Sequence, residues 1–399
     1  MRAKLTAAGF VAAETISLLG NQLATVAIPV LVLTKTGSPV AVGVASAATL
    51  LPIVLAALVG GRLIDRLGAW RMSVVSDVLS GLSVLVLPIA YRNDALPLLA
   101  LFALVLLGAL FDPTGVAARQ TLIPQVARRA GVRLEALNTW RGTLENGADF
   151  LGPGLAGLTI ALLGITGAFY LNAGTFFVCA LLFIFSTRSL SAQIDETGTT
   201  EEGEDATLSG LSFLFTTPDL RALAIVGFLM GFGLLPFLSV LLPVLTVEKL
   251  GSAPLLAAAL TGFGLAATVG AASFAFLSRH TSRRTIYYGG ILLTGVAIGL
   301  SALARTPLEL ILSATFAGLL LGAGNPLQQT VLQERTPERL AGRIFTTMTA
   351  TQFLGGPLGL VLAGWVAGRY GVEAALGVCG VLLIGVALIG WVFLPLQRS

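Results

Sequence analysis

Apolar stretches of about 20 residues, separated by short polar joins, follow one another along almost the whole chain. An apolar α-helix of that length crosses the hydrocarbon core of a bilayer, because each residue adds about 1.5 Å along the helix axis. The pattern therefore predicts an all-α protein with twelve membrane-spanning helices. The predicted cores of the spans are residues 8–33, 41–60, 74–91, 97–117, 138–161, 167–187, 220–243, 255–277, 286–304, 308–327, 345–367 and 374–395.

The composition supports this interpretation. The 399 residues are 55% hydrophobic and 11% charged, with a mean hydropathy of +0.90. A soluble domain is about a quarter charged and could not cover so much apolar surface. The net charge of +4 comes from arginines in the joins, so we expect no nucleic-acid partner.

One join is long, and it divides the chain. Residues 188–217 are polar and acidic, which is typical of a solvated linker between two halves. We expect two six-helix bundles, residues 1–187 and 218–399. With the N-terminus in the cytoplasm, most of the 24 Lys and Arg residues lie on the inner side, as the positive-inside rule requires. The prediction is a bacterial inner-membrane protein with both termini in the cytoplasm.

The two halves carry related motifs. LGPGLAG at 151–157 is matched by GGPLGLVLAG at 355–364. The join GRLIDRLGAWR at 61–71 resembles the signature G-x-L-x-D-R-x-G-x-x-R of the major facilitator superfamily. The resemblance implies two pseudo-symmetric halves that pack around a midplane site and rock to expose it alternately.

This join also contains a candidate inner gate. Gly61 would allow close helix approach, and Gly68 would permit a tight turn. Asp65 could cap a helix start, while Arg66 and Arg71 could pair with acids at the inner ends of helices. The alternative is a loop that is basic only because it faces the cytoplasm.

Nearly the whole chain resembles the drug/proton antiporter branch that holds macrolide-efflux proteins and the enterobactin exporter. The resemblance rests on stretches such as PTGVAARQTLIPQVARR and ERTPERLAGRIF. Gly147, Gly152, Pro153 and Gly157 form a G-x4-G-P-x3-G pattern similar to the antiporter motif of the fifth helix. Many relatives carry an arginine midway along the fourth helix, whereas this chain has Asp112 in its interior.

Five acidic residues lie within the predicted spans, all in the first half: Glu14, Asp77, Asp112, Glu145 and Asp149. Burying an ionised carboxylate costs several kcal/mol unless a base, water or a proton offsets it. We predict that Glu14, Asp112, Glu145 and Asp149 handle protons. Asp77 is assigned to the gate region, and Asp112 could instead be a gate partner.

The only base near the two acids of the fifth span is Arg141, one turn before Glu145. A base that precedes the acid by four residues is the weaker arrangement on a helix. Arg119 is expected at the end of the fourth span. Water in an open cavity and a proton in a closed one are therefore expected to neutralise the acids.

Candidate residues of a substrate cavity occur in both halves. Asn21 and Gln22 lie on the first span, Phe232 on the seventh, and Asn325 and Gln328 beside a proline on the tenth. Aromatic side chains could stack on a large apolar ligand. Packing against lipid or a neighbouring helix is the alternative for any one of them.

These features predict proton-coupled efflux of neutral or cationic amphiphilic molecules, such as drugs, by alternating access. Export of an endogenous metabolite such as a siderophore, or transport of a lysolipid, is the alternative. The chain lacks the P-loop motif of ATP-driven pumps. Its NGAD stretch departs from the context of an intramembrane aspartyl protease, so we expect no enzyme.

His280, Cys179 and Cys379 are too dispersed to indicate a metal site. We expect no metal and no cofactor. The expected partners are the lipid bilayer, protons and a small amphiphilic substrate, and the expected form is a monomer.

Overall fold

The structure, a computed structural model, describes residues 2–92, 100, 103–104, 106, 109–187, 212–249, 253–336 and 341–394. These residues form helices and short turns, without a strand among them. Their longer helices are α1 (Arg2–Thr36), α2 (Pro39–Leu67), α3 (Ala69–Arg92), α4 (Asp112–Ala130), α5 (Leu134–Thr187), α6 (Pro218–Met230), α7 (Ala253–His280), α8 (Gly290–Ser301), α9 (Pro307–Gly322), α10 (Gly324–Arg335), α11 (Ala341–Tyr370) and α12 (Val372–Phe393).

Eight described helices are long and apolar enough to cross a membrane, and two shorter apolar helices, Pro39–Leu50 and Thr285–Ser301, accompany them. Eleven of the twelve predicted spans coincide with described helices. The fourth, 97–117, is described only in part, and residues 188–211 of the predicted linker lie outside the described residues. The prediction of an all-α membrane protein is confirmed.

The fifth and sixth predicted spans are two helical segments within α5 that meet at a kink at Gly164. Gly164 has φ 72° and ψ 173°, a left-handed conformation that glycine adopts without steric cost. The turn between α2 and α3 is similar, because Gly68 alone joins the two helices with φ 78°. Both turns are so short that the helices they join must be neighbours.

The chain forms two compact units. The first contains Met1–Ile28 and Ala48–Thr200, and the second contains Pro29–Ala47 and Glu201–Ser399. The end of α1 and the start of α2 therefore pack with helices of the second half. Within the second unit, a Cβ on Gly43 would lie 2.4 Å from the carbonyl oxygen of Leu360, and one on Gly364 would lie 2.6 Å from that of Pro39.

The first unit has a core built from α1, α4 and α5. Its buried residues are Ala7, Phe10, Val11, Ala13, Leu122, Ile123, Val126, Ala127, Ala130, Leu137, Cys179 and Phe183. Phe10 and Trp70 both contact the ring of Phe183, with centroids 5.9 and 6.3 Å away. This core holds the inward-facing polar side chains of α1, α3 and α4 at defined positions.

The second unit depends on close backbone contacts between α7 and α9. A Cβ on Gly318 or on Gly322 would lie 2.1 Å from a carbonyl oxygen of α7, that of Phe263 or of Ala267. Small residues four positions apart allow two membrane helices to approach this closely. The contact must loosen if either glycine gains a side chain, because a carbonyl oxygen in a helix cannot move away.

We expect Gly318→Ala to destabilise the protein, because the added methyl group meets backbone rather than a flexible side chain. Overpacking of this kind costs about 1–3 kcal/mol, which corresponds to a fall in melting temperature of about 5 °C. The measurement is thermal unfolding of the purified protein in detergent. Gly377→Ala is the matched control, since a Cβ there meets nothing within 4 Å. Equal melting temperatures for the two variants would contradict the close contact.

Candidate functional site

Glu14 of α1 forms an ion pair with Arg141 of α5. Nε of Arg141 donates to Oε2 of Glu14 at 2.5 Å, and Nη2 donates to Oε1. Both side chains are almost buried, with 8% of Glu14 and 12% of Arg141 exposed. A two-point contact between guanidinium and carboxylate is among the stronger ion pairs. Arg141 therefore neutralises Glu14, a partner on another helix that its position in the sequence did not suggest.

A second arginine lies deeper in the first unit. Arg119 of α4 is completely buried, and its Nη1 lies 2.9 Å from each carboxylate oxygen of Asp77 on α3. The thiol of Cys179 on α5 donates to Oδ2 of Asp77 at 3.2 Å. The Oγ atom of Ser73 accepts from the same Nη1 at 3.4 Å. Asp77 thus belongs to a buried ion pair that joins three helices.

Asp112 is held differently. Nδ2 of Asn21 on α1 donates to Oδ2 of Asp112 at 2.8 Å. The other oxygen, Oδ1, is buried and has no hydrogen-bond partner among the described residues. Asp112 is the first residue of α4, where the helix dipole favours negative charge, but its contact is a neutral amide. Its alternative role as a gate partner of Arg66 or Arg71 stays a prediction.

The expectation that no base neutralises the acids of the first half is wrong. Arg119 was placed at the end of the fourth span, but α4 continues to Ala130 and keeps this side chain inside the unit. The polar residues Ser73, Ser76, Asp77 and Ser80 recur at helical spacing along α3, and all are buried. This periodicity was the sequence signal that a polar partner faces α3.

The other two predicted proton carriers are on α5. Glu145 is exposed in the isolated chain and takes part in a polar interaction. The backbone of Asp149 is helical, but its side chain lies outside the described residues. Their roles stay predictions.

The glycines of the antiporter-like pattern occupy different surroundings. A Cβ on Gly152 would lie 2.3 Å from Cγ of Gln22, so Gln22 of α1 packs directly over this glycine. Gly157 is buried, Pro153 is half-buried, and Gly147 has open space around it. The structure therefore joins one predicted cavity residue, Gln22, to the pattern through the close approach of α1 and α5.

The join at residues 61–71, the candidate inner gate, has few side-chain contacts among the described residues. Arg66 and Arg71 are both exposed, and Arg71 takes part in a polar interaction. The side chain of Asp65 lies outside the described residues, while Gly61 lies within α2. The gating role of these residues, including Gly68 at the turn, stays a prediction.

The corresponding join of the second half has arginines without an acid in its own sequence, and α10 supplies one. Arg283 donates to both oxygens of Glu334, at 2.6 and 2.9 Å. These hydrogen bonds hold the pKa of the Glu334 carboxyl below its ordinary value. Arg335 also pairs with Asp219 of α6, at 2.7 Å. The exposed Arg283–Glu334 pair contributes at most about 1 kcal/mol, whereas the carboxylate of the second pair, Asp219, is buried.

The seventh predicted span is broken near its middle. After α6 ends at Met230, residues 231–233 form a turn, and π-helical segments follow at Phe237–Leu241 and Val244–Lys249. Phe232 lies at this break, half-buried, with its ring 5.5 Å from that of Phe228 in an edge-to-face contact. Broken helices and π-helical turns concentrate at functional sites of membrane proteins.

The tenth span is also interrupted, at Ala323, three residues before the proline that was expected to break it. Pro326 lies in the first turn of α10, where its missing N–H leaves no helical hydrogen bond unmade. Asn325 is exposed and Gln328 is half-buried. Both belong to the second unit, as Phe232 does, whereas Asn21 and Gln22 belong to the first.

The described residues contain no group of three or more His, Cys, Asp or Glu side chains able to hold a metal ion. The described polar side chains inside the first unit include Glu14 and Asp77, which are buried, Asp112, which is partly buried, and the arginines Arg119 and Arg141. They form two ion pairs and one carboxyl group held by an amide.

Known proteins resemble the chain over nearly its whole length. It is 36% identical to the multidrug efflux pump Tap of Mycolicibacterium fortuitum, over 95% of this chain and 93% of that protein. It is 27% identical to the enterobactin exporter EntS of Citrobacter koseri, over 94% and 89%. The fold matches a crystal structure of the nucleoside transporter NupG with a TM-score of 0.72 and 15% identity, over 98% of both chains. Residues 10–280 and 237–399 match the sequence profile of the Major Facilitator Superfamily, and the chain belongs to that superfamily.

Proposed function

We propose that this protein exports neutral or cationic amphiphilic molecules, such as drugs, across a bacterial inner membrane in exchange for protons. Membership of the superfamily supports transport rather than catalysis. The 36% identity to a multidrug efflux pump supports drugs as the substrate class. The arrangement of charges in the first unit supports the coupling to protons.

One observation carries the proposal: among the described side chains, Asp112 is a partly buried acid whose hydrogen bond comes from an amide rather than an arginine. Glu14 is paired with Arg141 and Asp77 with Arg119, whereas Asp112 accepts a hydrogen bond from the neutral amide of Asn21. An ionised carboxylate is costly away from water unless a cation accompanies it. Asp112 therefore needs a proton or another cation whenever water is excluded.

This requirement gives a simple exchange mechanism. In the state open to the outside, Asp112 takes up a proton, and it carries that proton while the site is closed. In the state open to the cytoplasm, water stabilises the carboxylate and the proton leaves. A cationic substrate then replaces the proton as the counterion, so that proton and substrate travel in opposite directions.

The same charges favour cationic or neutral substrates over anions. Among the described residues of the first unit, Arg119 and Arg141 are each paired with a carboxylate, so that their positive charge is largely balanced before an anion could bind. Phe228 and Phe232 at the break after α6 provide aromatic faces, which attract cations and apolar rings alike.

Export of one endogenous metabolite is the second candidate. The 27% identity to an enterobactin exporter over most of both chains favours it. The two candidates differ in substrate range, since a dedicated exporter would not move an unrelated lipophilic cation.

We expect Asp112→Asn to abolish proton-driven transport while leaving the protein folded, because asparagine keeps the hydrogen bond to Asn21 and cannot take up a proton. The measurement is accumulation of tetraphenylphosphonium in inverted membrane vesicles energised by an acidic interior. Accumulation should fall to that of vesicles without the protein.

Asp205→Asn, in the predicted linker, is the matched control and should transport at the wild-type rate. Full gradient-driven accumulation by Asp112→Asn would exclude Asp112 as the proton carrier. If the wild type accumulates no tetraphenylphosphonium but exports a catecholate siderophore, the dedicated exporter replaces the multidrug pump.

We expect Glu14 and Arg141 to form a structural ion pair rather than a proton-carrying group. Glu14→Gln should lower the free energy of unfolding by about 3–5 kcal/mol, because it leaves a buried arginine unpaired. The double variant Glu14→Gln/Arg141→Gln should recover much of this loss, and it should keep gradient-driven accumulation. Thermal unfolding and the vesicle assay measure both effects. A folded double variant without gradient-driven transport would instead assign proton coupling to Glu14.

A further inference from the structure

Arg119 uses only part of its hydrogen-bonding capacity in the pair with Asp77. Its Nη1 atom makes the contacts with both oxygens of Asp77. Its Nε and Nη2 atoms are buried and have no partner among the described residues. Each buried N–H without a partner costs about 1–3 kcal/mol, more on a charged group. The arginine thus retains donors for a second acceptor.

Asp112 is the carboxylate on the same helix whose position along the helix places it on the same face as Arg119. It precedes Arg119 by seven residues on α4, which is about two turns, so both side chains lie on one face. Long helical side chains lean toward the N-terminus of their helix, and for Arg119 that is the direction of Asp112. The buried Oδ1 of Asp112 has no partner among the described residues either.

The space between these two side chains is polar. Gly115 lies between them on this face, and a Cβ there would be 2.7 Å from Cβ and 3.3 Å from Oγ of Ser76 on α3. Ser76 therefore occupies the space that a side chain at position 115 would fill. Its Oγ is completely buried and likewise has no partner among the described residues.

Unpartnered polar atoms of Asp112, Ser76 and Arg119 thus follow one another along the interface of α3 and α4. Such a group of buried polar atoms is satisfied by ordered water or by direct contact with one another. Either arrangement links the guanidinium of Arg119 to the carboxyl of Asp112 through polar atoms.

We propose that Arg119 is a shared counterion that serves Asp77 while Asp112 is protonated and turns toward Asp112 when that proton leaves. This inference rests on the proposed proton coupling and adds a positioning residue to it. The hydrogen bonds in the structure, with Arg119 on Asp77, correspond to the protonated state of Asp112.

The charges balance without any further reactant. With Asp77 ionised, Arg119 charged and Asp112 protonated, the group has no net charge. When Asp112 releases its proton to water, the group carries one negative charge, and Arg119 lies between two carboxylates. The Cys179 thiol, which donates to Oδ2 of Asp77 at 3.2 Å, continues to stabilise Asp77 while Arg119 turns away.

The groups that act on Asp112 are few and come from named helices. Asn21 of α1 contacts it directly, Asp77 and Ser76 belong to α3, and Arg119 belongs to its own helix. Of the groups just named, Asp77 and Arg119 are the charged ones. Removing Asp77 leaves the positive charge of Arg119, which lowers the proton affinity of Asp112. Removing Arg119 leaves the negative charge of Asp77, which raises it.

The test is an infrared titration of the purified full-length protein in lipid, which follows the C=O stretching band of protonated carboxyl groups. Each form is measured with and without Asp112→Asn, and the difference isolates the Asp112 band. In Asp77→Asn, Arg119 loses its other carboxylate and pairs with Asp112. We expect the midpoint of the band to move to lower pH by about one to three units.

A second variant keeps the test valid if Asp77→Asn folds poorly. Asp77→Asn/Arg119→Gln removes both charges, and its midpoint should lie about one to three units above that of Asp77→Asn. Glu14→Gln/Arg141→Gln removes an ion pair from the same unit and should leave the Asp112 midpoint unchanged.

Adding Gly115→Ala to Asp77→Asn should reduce the shift, because the new methyl group fills the space between Arg119 and Asp112. Gly174→Ala, with nothing within 4 Å of its Cβ, should not reduce it.

The outcomes separate this inference from the proposed function. If Asp112→Asn removes a titrating band but Asp77→Asn and the double variant have the wild-type midpoint, Arg119 and Asp77 are only structural and the shared counterion is wrong. If Asp112→Asn removes no band, Asp112 does not titrate, and both the carrier assignment and the shared counterion are wrong.

Discussion

The cost of an uncompensated charge away from water governs the first unit of this protein. The described helices α1, α3, α4 and α5 bury Glu14, Asp77 and Arg119 and partly bury Asp112 and Arg141. Glu14 and Asp77 meet this cost with an arginine from another helix, and each such pair also fixes the position of the two helices. Asp112 instead accepts a hydrogen bond from the amide of Asn21. The proposed proton exchange depends on this difference, because a carboxyl group held by a neutral partner can respond to its surroundings by taking up or releasing a proton.

Close helix packing is the second requirement, because a charge network is useful only if its members are held in place. Glycines supply the close approach at several crossings. Gly152 accommodates Gln22, Gly115 accommodates Ser76, and Gly318 lies against the carbonyl oxygen of Phe263. Lipid tails give helices little hydrophobic reason to associate, so that contact between backbones contributes much of the packing energy. The same glycines that stabilise the helix pairs therefore also bring polar side chains of neighbouring helices together.

Sequence patterns gave a good account of the helices and a partial account of the site. Runs of apolar residues located eleven spans, and the motif at 61–71 indicated the superfamily that the comparisons establish. The acids were recognised because charged residues are rare in such runs. Their partners were not. Arg141 was considered only as a weak partner for Glu145, its neighbour along the helix, but it pairs with Glu14, which is 127 residues away. Arg119 was treated as the end of a span, although α4 continues past it.

The sequence by itself determined that this chain spans a membrane, which residues form its helices, and which helices carry acids. These properties depend on the local run of side chains, because a backbone in lipid must satisfy its own hydrogen bonds and so becomes helical wherever the run is apolar. Only the tertiary structure decided which acid meets which base. The paired side chains lie on different helices, 42 to 127 residues apart in sequence, and they meet through packing that no local pattern specifies. For that reason Asp77 pairs with an arginine, whereas Asp112 accepts a hydrogen bond from an amide.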